Sequence, residues 1–180
     1  GAQCLEQQLA SLKVLWLNGE VVSTSLRQRF LDHFPKHTQL MTTYSVSECG
    51  EIACANLRHD SCHLQSSSVC GVGPPASFVK TMVVQIGTSW DPVPEGEPGE
   101  LLVAGAGLAR GYNNKPQATH ARFVMHPETG ERFYRTGDRV RMLADGSIVV
   151  LGRCDDAVKV RGYTVVLGAV EAAVRKLGAV

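Results

Sequence analysis

The clearest structural signal in the chain is the stretch Val140-Arg141-Met142-Leu143-Ala144-Asp145-Gly146-Ser147-Ile148-Val149-Val150. Two apolar runs flank Asp145-Gly146, a dipeptide that favours a tight turn because glycine adopts a positive φ without steric cost. The stretch therefore predicts a two-stranded β-hairpin. Upstream, Leu101-Leu102-Val103 predicts another short strand, and the run Phe78–Ile86 stands in a region rich in Ser, Gly and Pro. The middle of the chain is thus expected to form a small β-barrel or meander.

The residues before 65 alternate between helical and strand patterns. A helical stripe at positions 5, 9 and 12 precedes an apolar run of strand type, Val14–Leu17. A second helix is predicted to begin at Ser23 and to end at Pro35. Its expected buried stripe consists of Leu26, Phe30 and Phe34. Another apolar segment follows around Leu40, so helix and strand alternate as in a layered α/β unit with parallel strands.

A third pattern begins after Arg153. Residues 157–161 alternate between apolar and basic side chains, and positions 167, 170, 174 and 177 then share one helical face. This predicts the opening of a new βα unit. The expected fold class is therefore α/β plus β-barrel, with the end of a layered α/β unit in residues 1–64, a distorted barrel in 65–153 and the start of a small α+β domain in 154–180.

Composition excludes several functional classes. The 180 residues are 44% apolar and 19% charged, which is typical of a globular protein, and the net charge is +1. A chain so close to neutral has no field to attract a nucleic acid or an anionic membrane, and no apolar stretch approaches the roughly 20 residues of a membrane span. Six cysteines without a C-x-x-C pair predict reduced thiols and a cytoplasmic location. The chain lacks an initiator methionine and stops within a predicted helix, so we expect a fragment.

No single motif in this sequence identifies a ligand or a reaction. The glycines of 105–111 follow a strand, but their G-x-G-x-x-x-G spacing is not that of a dinucleotide-binding loop, and Pro116 is expected to interrupt a following helix. The cysteines and histidines of 54–70 match no closely paired zinc spacing. Taken alone, Asp138 is most simply a turn residue and Glu48 a surface acid.

Four motifs taken in order are more specific than any one of them. They cover most of the chain and read Tyr44-Ser45-Val46-Ser47-Glu48, then Gly99-Glu100-Leu101-Leu102-Val103-Ala104-Gly105-Ala106-Gly107-Leu108-Ala109-Arg110-Gly111-Tyr112, then Tyr134-Arg135-Thr136-Gly137-Asp138, then Gly152-Arg153-Cys154-Asp155 with Val158-Lys159-Val160-Arg161-Gly162-Tyr163. Their order resembles the core motifs of adenylate-forming enzymes, and the sequence Leu108–Tyr112 resembles adenylation domains of nonribosomal peptide synthetases (NRPS) more than acyl-CoA ligases.

The resemblance implies a two-step reaction. A small carboxylate, such as an amino acid, would react with ATP to give an acyl adenylate and pyrophosphate. The acyl group would then pass to a phosphopantetheine thiol on a downstream carrier protein domain. Developing charge on the α-phosphate would be met by Mg²⁺ and by hydrogen-bond donors.

The resemblance also implies roles for individual residues. Tyr44 would stack on adenine, Ser47 would donate to the α-phosphate and Glu48 would hold Mg²⁺. Asp138 and Arg153 would bind the ribose. Asp155 would be the hinge about which the C-terminal lid domain turns between the two steps. The strand that carries Lys159 would face the active site in the second step.

The family's substrate pocket corresponds here to Trp16, Asn18, Thr43, Glu51 and Ile52. A buried Glu51 would pair with a substrate ammonium, because an unpaired buried carboxylate is costly. The alternative is a solvated acid on a helix.

This sequence departs from the family pattern in several places. Thr42 replaces the asparagine usual two residues before the stacking tyrosine, and Ser45-Val46-Ser47 replaces the usual Gly-Pro-Thr. The family's phosphate loop and the catalytic lysine near the end of the lid are absent from the 180 residues, so the isolated chain is predicted to be inactive. Two other readings stay open: an acyl-CoA ligase, and a degenerate nucleotide-binding or interaction module without chemistry.

Overall fold

A computed structural model describes residues 8–59, 68–87, 90–155, 157–160, 163–166, 170 and 174. Within these residues the strands form three sheets, and two helices accompany them. In chain order they are β1 (Val14–Asn18), α1 (Thr24–His33), β2 (Gln39–Val46), β3 (Gly50–Asn56), β4 (Val79–Val84), β5 (Pro98–Gly105), α2 (Pro116–Arg122), β6 (Phe123–Met125), β7 (Arg132–Met142), β8 (Ile148–Arg153), β9 (Ala157–Val160) and β10 (Tyr163–Val166).

A three-stranded sheet with helix α1 on one face forms the N-terminal layer. Strands β1 and β2 run parallel, as predicted, while β3 adds to β2 in the antiparallel sense. Ser23 caps α1 by accepting a hydrogen bond from the Leu26 amide at 3.1 Å, which confirms the predicted start. Phe30 is buried against Leu40 and Leu57 from the sheet.

Leu26 is a wrong prediction, since it is 44% exposed rather than part of the buried stripe. The apolar cluster beneath the helix contains Phe30 and Val22, with Phe34 and Leu31 packed against it, and Leu26 is not part of it. Helical periodicity indicates which face of a helix is apolar, whereas tertiary packing decides which residues of that face are covered.

A five-stranded antiparallel sheet makes up the middle of the chain, in the order β4-β5-β7-β6, with β8 paired to β7. The predicted hairpin is confirmed as β7 and β8. Its turn holds Gly146 at a φ of 80°, and the Ser147 amide donates to the Asp145 carboxylate at 2.9 Å. The hairpin brings the end of β8 back alongside Asp138.

Contrary to the prediction, Pro116 does not interrupt a helix but is the first residue of α2. Proline is well suited to this position because its missing N–H would have no helical partner there and its φ is already helical. Helix α2 is only 7 residues long and contributes Arg122 to the region near Asp138.

The two larger sheets share one hydrophobic core. Ile52 and Ala53 of β3 pack in the same buried cluster as Leu101 of β5 and Val150 of β8. The segment 68–76 runs between the sheets and hydrogen-bonds to both, so the N-terminal layer and the barrel are in direct contact. The predicted boundary between residues 64 and 65 stays a prediction.

After Arg153, β9 and β10 form an antiparallel pair. The first of these strands was predicted over 157–161; it ends at Val160, and Arg161 lies outside the described residues. The helix predicted around positions 5–12 is described only from residue 8, where residues 9–11 form a turn and the Leu12 amide donates to the Leu9 carbonyl at 2.9 Å. Most of the helix predicted around positions 167–177 lies outside the described residues. No helix in the described ranges has the length and apolar character that a membrane crossing requires.

Candidate functional site

Tyr44 and Asp138 are 94 residues apart in the sequence and in direct contact in the fold. The Tyr44 hydroxyl donates to Asp138 Oδ2 at 2.5 Å. Tyr44 stands at the end of β2, where a register shift between Tyr44 and Ser45 alters the pairing with β3. Asp138 follows Gly137, whose φ of 71° turns the β7 backbone. Two strand irregularities therefore aim these side chains at each other.

Arg153 joins Asp138 from the neighbouring strand. The two residues are register partners in the β7–β8 hairpin, and Arg153 Nη1 donates to Asp138 Oδ1 at 3.1 Å and to the Thr136 carbonyl at 2.7 Å. The opposite edge of the guanidinium binds Asp155, with Nε to Oδ1 at 3.0 Å and Nη2 to Oδ2 at 2.9 Å. One arginine thus bridges the carboxylate predicted to bind ribose and the carboxylate predicted to be the hinge.

This network changes the pKa values of its members. Burial raises the pKa of Tyr44 well above its ordinary value, and the negative charge of Asp138 adds to the rise. Burial alone would lower the pKa of Arg153, but hydrogen bonds to Asp155 and the charge of Asp138 raise it overall. At neutral pH the phenol is therefore a hydrogen-bond donor and the guanidinium is charged.

Gly137 lies directly against two arginines. A Cβ at this position would lie 2.5 Å from Arg153 Nη2 and 2.7 Å from Arg122 Nη1. The positive φ favours glycine here, and a methyl group would also displace the ends of the two arginine side chains. Arg122 also approaches Asp155, with Nη2 to Oδ2 at 3.4 Å.

Glu48 lies in the turn between β2 and β3, next to exposed Ser47. Its carboxylate Oε1 accepts a hydrogen bond from the Tyr112 hydroxyl at 2.6 Å, and its carbonyl accepts one from the Ala109 amide at 2.7 Å. A Cβ on Gly107 would lie 2.6 Å from the Cys49 carbonyl oxygen, so a glycine is needed for this close approach. The 105–112 loop thus holds the turn that carries Glu48.

Two tyrosines near Glu48 had no role in the sequence analysis, although both stand in its motifs. The Tyr112 and Tyr134 hydroxyls are 3.4 Å apart. Burial, with hydrogen bonding to Glu48, raises the pKa of Tyr112. The position of these aromatics in the motifs was visible in the sequence, but their contact with the acid depends on long-range packing.

The negative charges of Glu48 and Asp138 both act on one buried residue, Cys49. Burial raises its pKa to about 12, and the charges of both carboxylates raise it as well. Hydrogen bonds therefore join Tyr44, Asp138, Arg153 and Asp155 in one network, while Glu48 stands in a second group with the two tyrosines and Ser47 is exposed in the turn beside it. No three His, Cys, Asp or Glu side chains lie together as metal ligands within the part of the chain that the structure describes.

The predicted pocket residues do not all share one environment. Trp16, Asn18 and Thr43 lie on the face of the three-stranded sheet opposite α1, where Trp16 Nε1 donates to Thr43 Oγ1 at 2.6 Å. Glu51 is exposed on strand β3 rather than on a helix. Ile52 is 0% exposed and belongs to the shared core.

Lys159 lies on β9, and its side chain is outside the described part of the structure. Its predicted role stays a prediction, as do the ligand contacts assigned to the other site residues.

Cys154 gives a direct test of the electrostatics around this network. Burial raises the pKa of its thiol to about 11, with the charges of Glu100 and Asp138 adding to the rise. Only the thiolate reacts with iodoacetamide. We expect alkylation of native Cys154 at pH 8 to be slow and to accelerate about tenfold per pH unit up to about pH 11, as followed by peptide mass spectrometry.

The urea-unfolded protein is the control, because its Cys154 should titrate near the ordinary cysteine value of about 8.5. Native alkylation that levels off near that value would contradict the half-buried, negatively charged surroundings of Cys154.

Comparison with known protein families assigns the chain to one of them. The profile of the family described as AMP-binding enzyme matches residues 2–113, more than half of the chain, and the chain belongs to this family. The resemblance inferred from the four motifs is thereby confirmed.

Individual relatives make the class more specific. The chain is 41% identical over 167 residues to a glycine betaine reductase, ATRR, of Emericella nidulans, a match that covers 91% of this chain and 13% of the relative. Among solved structures it is similar to NpsA-ThdA, an artificially fused adenylation–PCP di-domain NRPS from Klebsiella oxytoca, with 28% identity, a TM-score of 0.73 and coverage of 91% and 30% of the two chains. It is likewise similar to the Vibrio cholerae adenylation domain AlmE in complex with glycyl-adenosine-5'-phosphate, with 26% identity, a TM-score of 0.76 and coverage of 97% and 32%.

The fold similarity confirms the predicted class of a partial α/β layer with a distorted barrel. The chain spans about a third of each solved chain and 13% of the curated relative, so it corresponds to part of an adenylation domain.

Proposed function

We propose that this chain supplies part of the ATP site of an NRPS-like domain that activates an amino acid or a related small carboxylate. The Tyr44–Asp138–Arg153 network carries the proposal, because it places an acceptor carboxylate beside an aromatic side chain and a cation. Adenosine recognition needs these groups: a flat surface for the base, and acceptors for the ribose hydroxyls.

The network fits a ribose. Asp138 uses one acceptor site on Oδ2 for Tyr44 and one on Oδ1 for Arg153. A carboxylate has about four acceptor sites, so each oxygen retains capacity for one ribose hydroxyl. The existing bonds orient the carboxylate before the ligand arrives, which lowers the entropic cost of binding.

The Glu48 carboxylate is suited to bind Mg²⁺. Mg²⁺ prefers oxygen ligands and is commonly held by one or two carboxylates together with phosphate oxygens and water. The Tyr112 bond orients Glu48 Oε1 and leaves acceptor capacity on the carboxylate. When bound, Mg²⁺ would neutralise charge on the phosphates, with Ser47 donating to the α-phosphate from the same turn.

The proposed reaction has two steps. A substrate carboxylate oxygen attacks the α-phosphorus of ATP, and the bond from that phosphorus to the bridging oxygen breaks, which releases pyrophosphate and leaves an acyl adenylate. The phosphopantetheine sulfur of a carrier domain, having lost its proton, then attacks the acyl carbon, and the carbon–oxygen bond to AMP breaks. Asp155 is the proposed hinge between these steps, and Lys159 faces the site in the second.

Carrier and substrate are proposed from the relatives. NpsA-ThdA is an adenylation–PCP di-domain, which supports a carrier domain as partner. AlmE was solved with glycyl-adenosine-5'-phosphate, which supports an amino-bearing carboxylate as substrate. The open face around Trp16, Asn18 and Thr43, with Glu51 at its edge and Ile52 behind it, is the proposed pocket side.

The test is ATP–pyrophosphate exchange by the full-length protein that contains this chain, with a panel of amino acids and small carboxylates. We expect exchange that depends on one or a few of these acids, followed by loading of a carrier domain. Tight AMP binding without exchange for any acid would favour the degenerate module. Formation of a free coenzyme A thioester instead of a loaded carrier would favour the acyl-CoA ligase.

A further inference from the structure

A buried ion pair lies behind the turn that carries Asp138. Arg135 on β7 contacts Glu100 on β5, with Nη2 to Oε2 at 2.6 Å and Nε to Oε2 at 3.1 Å. The two side chains are only 10% and 7% exposed. Arg135 also donates to the Gly87 carbonyl. Removing both charges from water is costly, and an apolar pair of similar size is often as stable, so stability alone does not account for this pair.

The ion pair stands where the sheet ladder is interrupted. Glu100 pairs with Arg139, but Leu102 pairs with Arg135, so three β7 residues, 136–138, lie opposite Leu101 alone. Such a bulge removes regular backbone hydrogen bonds and lets the strand bend. On its other side this segment is held by β8, where Asp138 pairs with Arg153 and the Cys154 amide donates to the Gly137 carbonyl at 2.8 Å. Toward β5, the conformation of 136–138 must be fixed by other bonds.

On the β5 side, side chains supply those bonds. Glu100 Oε1 accepts from the Gly137 amide at 3.2 Å. Thr136 Oγ1 donates to the Leu101 carbonyl at 2.8 Å and lies 3.0 Å from the Asp138 amide nitrogen, which donates to it. Each residue of the bulge is thus tied down, and the one charged acceptor in the set is Glu100, which Arg135 holds in place.

We propose that Glu100, oriented by Arg135, is a positioning residue that fixes the direction of the Asp138 carboxylate for recognition of the ribose hydroxyls. The inference rests on the proposed nucleotide site. Glu100 does not touch the nucleotide in this proposal and acts through the Gly137 amide. Loosening the bulge would therefore weaken contacts to the ribose more than contacts to the base or phosphates.

The test compares two ligands that differ only in the ribose hydroxyls, ATP and 2',3'-dideoxyATP, by calorimetry on the full-length protein. We expect the wild-type protein to prefer ATP on the order of 100-fold, because two bonds to a charged acceptor are lost with the dideoxy ligand. The variant Glu100→Gln keeps the shape of the side chain, but it removes the negative charge and can place an amide N–H donor against Arg135. We expect it to lower this preference about tenfold, mainly through weaker binding of ATP.

A matched control and a second variant keep the result interpretable. Glu131→Gln makes the same chemical change in an exposed pair with Lys80 of the same sheet, and is expected to keep the wild-type preference. The double variant Glu100→Leu with Arg135→Met leaves no unpaired buried charge, so it should fold even if Glu100→Gln does not, and it should also lose the preference.

The outcomes distinguish the positioning role of Glu100 from the proposed ribose site itself. A wild-type preference for ATP that survives in Glu100→Gln and in the double variant would overturn the positioning role and leave the nucleotide site standing. A wild-type protein that binds neither ligand, or binds both equally, would overturn the proposed ribose site and the positioning role with it.

Discussion

Replacing Asp138 by alanine in the full-length protein is expected to cost about 2–4 kcal/mol of ATP binding free energy. Two hydrogen bonds from ribose hydroxyls to a charged acceptor disappear, each worth about 1.5–3 kcal/mol net, and water that enters the space left by the carboxylate recovers part of that sum. The loss should be measured as a dissociation constant by calorimetry, with ATP as the ligand.

The alanine variant also leaves the Tyr44 hydroxyl and Arg153 without their shared acceptor, so folding must be tested separately. Asp138→Asn keeps the size and one acceptor oxygen, and should fall between the wild type and Asp138→Ala. Asp145→Ala is the matched control, since Asp145 is an exposed carboxylate in the turn of the same hairpin. If Asp138→Ala bound ATP as tightly as Asp145→Ala, the ribose assignment would be lost.

Local sequence patterns were sufficient for several elements of this fold. Asp145-Gly146 between two apolar runs predicted the β7–β8 hairpin, and Ser23 predicted the start of α1, because turn and cap chemistry act within a few residues. The pattern failed where burial depends on distant partners. Leu26 is exposed although it shares the helical periodicity of buried Phe30, and β3, rich in alanine, lacks the β-branched density that marks a strand.

In the candidate site, too, the sequence identified residues but not the long-range contacts between them. The order of the motifs nominated Tyr44, Asp138 and Arg153, and the fold brings them together. The Tyr44 hydroxyl contact to Asp138 was not foreseeable, since it depends on a bulge in one strand and a glycine turn in another. Glu100 and Arg135 were quoted in the motifs without a role, because charged residues in strands are ordinarily exposed. Their burial becomes understandable only when each provides the other's counter-charge.

The junction between the two larger sheets gives the second large prediction, Gly73→Ala. Gly73 has a φ of 83°, and a Cβ there would collide with the Cys54 carbonyl oxygen. Its own carbonyl accepts from the Ile148 amide at 2.9 Å, so Gly73 lies between β3 and β8 and cannot move away from one without disturbing the other. We expect a loss of about 2–5 kcal/mol in unfolding free energy, from backbone strain together with overpacking.

Gly146→Ala separates these two contributions. Gly146 has nearly the same φ, 80°, but a Cβ at this position would meet no atom within 4 Å, so the variant should show the strain alone, about 1–2 kcal/mol. Urea unfolding of the full-length variants, followed through the transition that contains this region, measures both. A larger loss for Gly73→Ala means that the backbone contact across the junction is rigid. Equal losses would show that the strands separate enough to admit a methyl group, and that the two sheets are joined less tightly than their shared core implies.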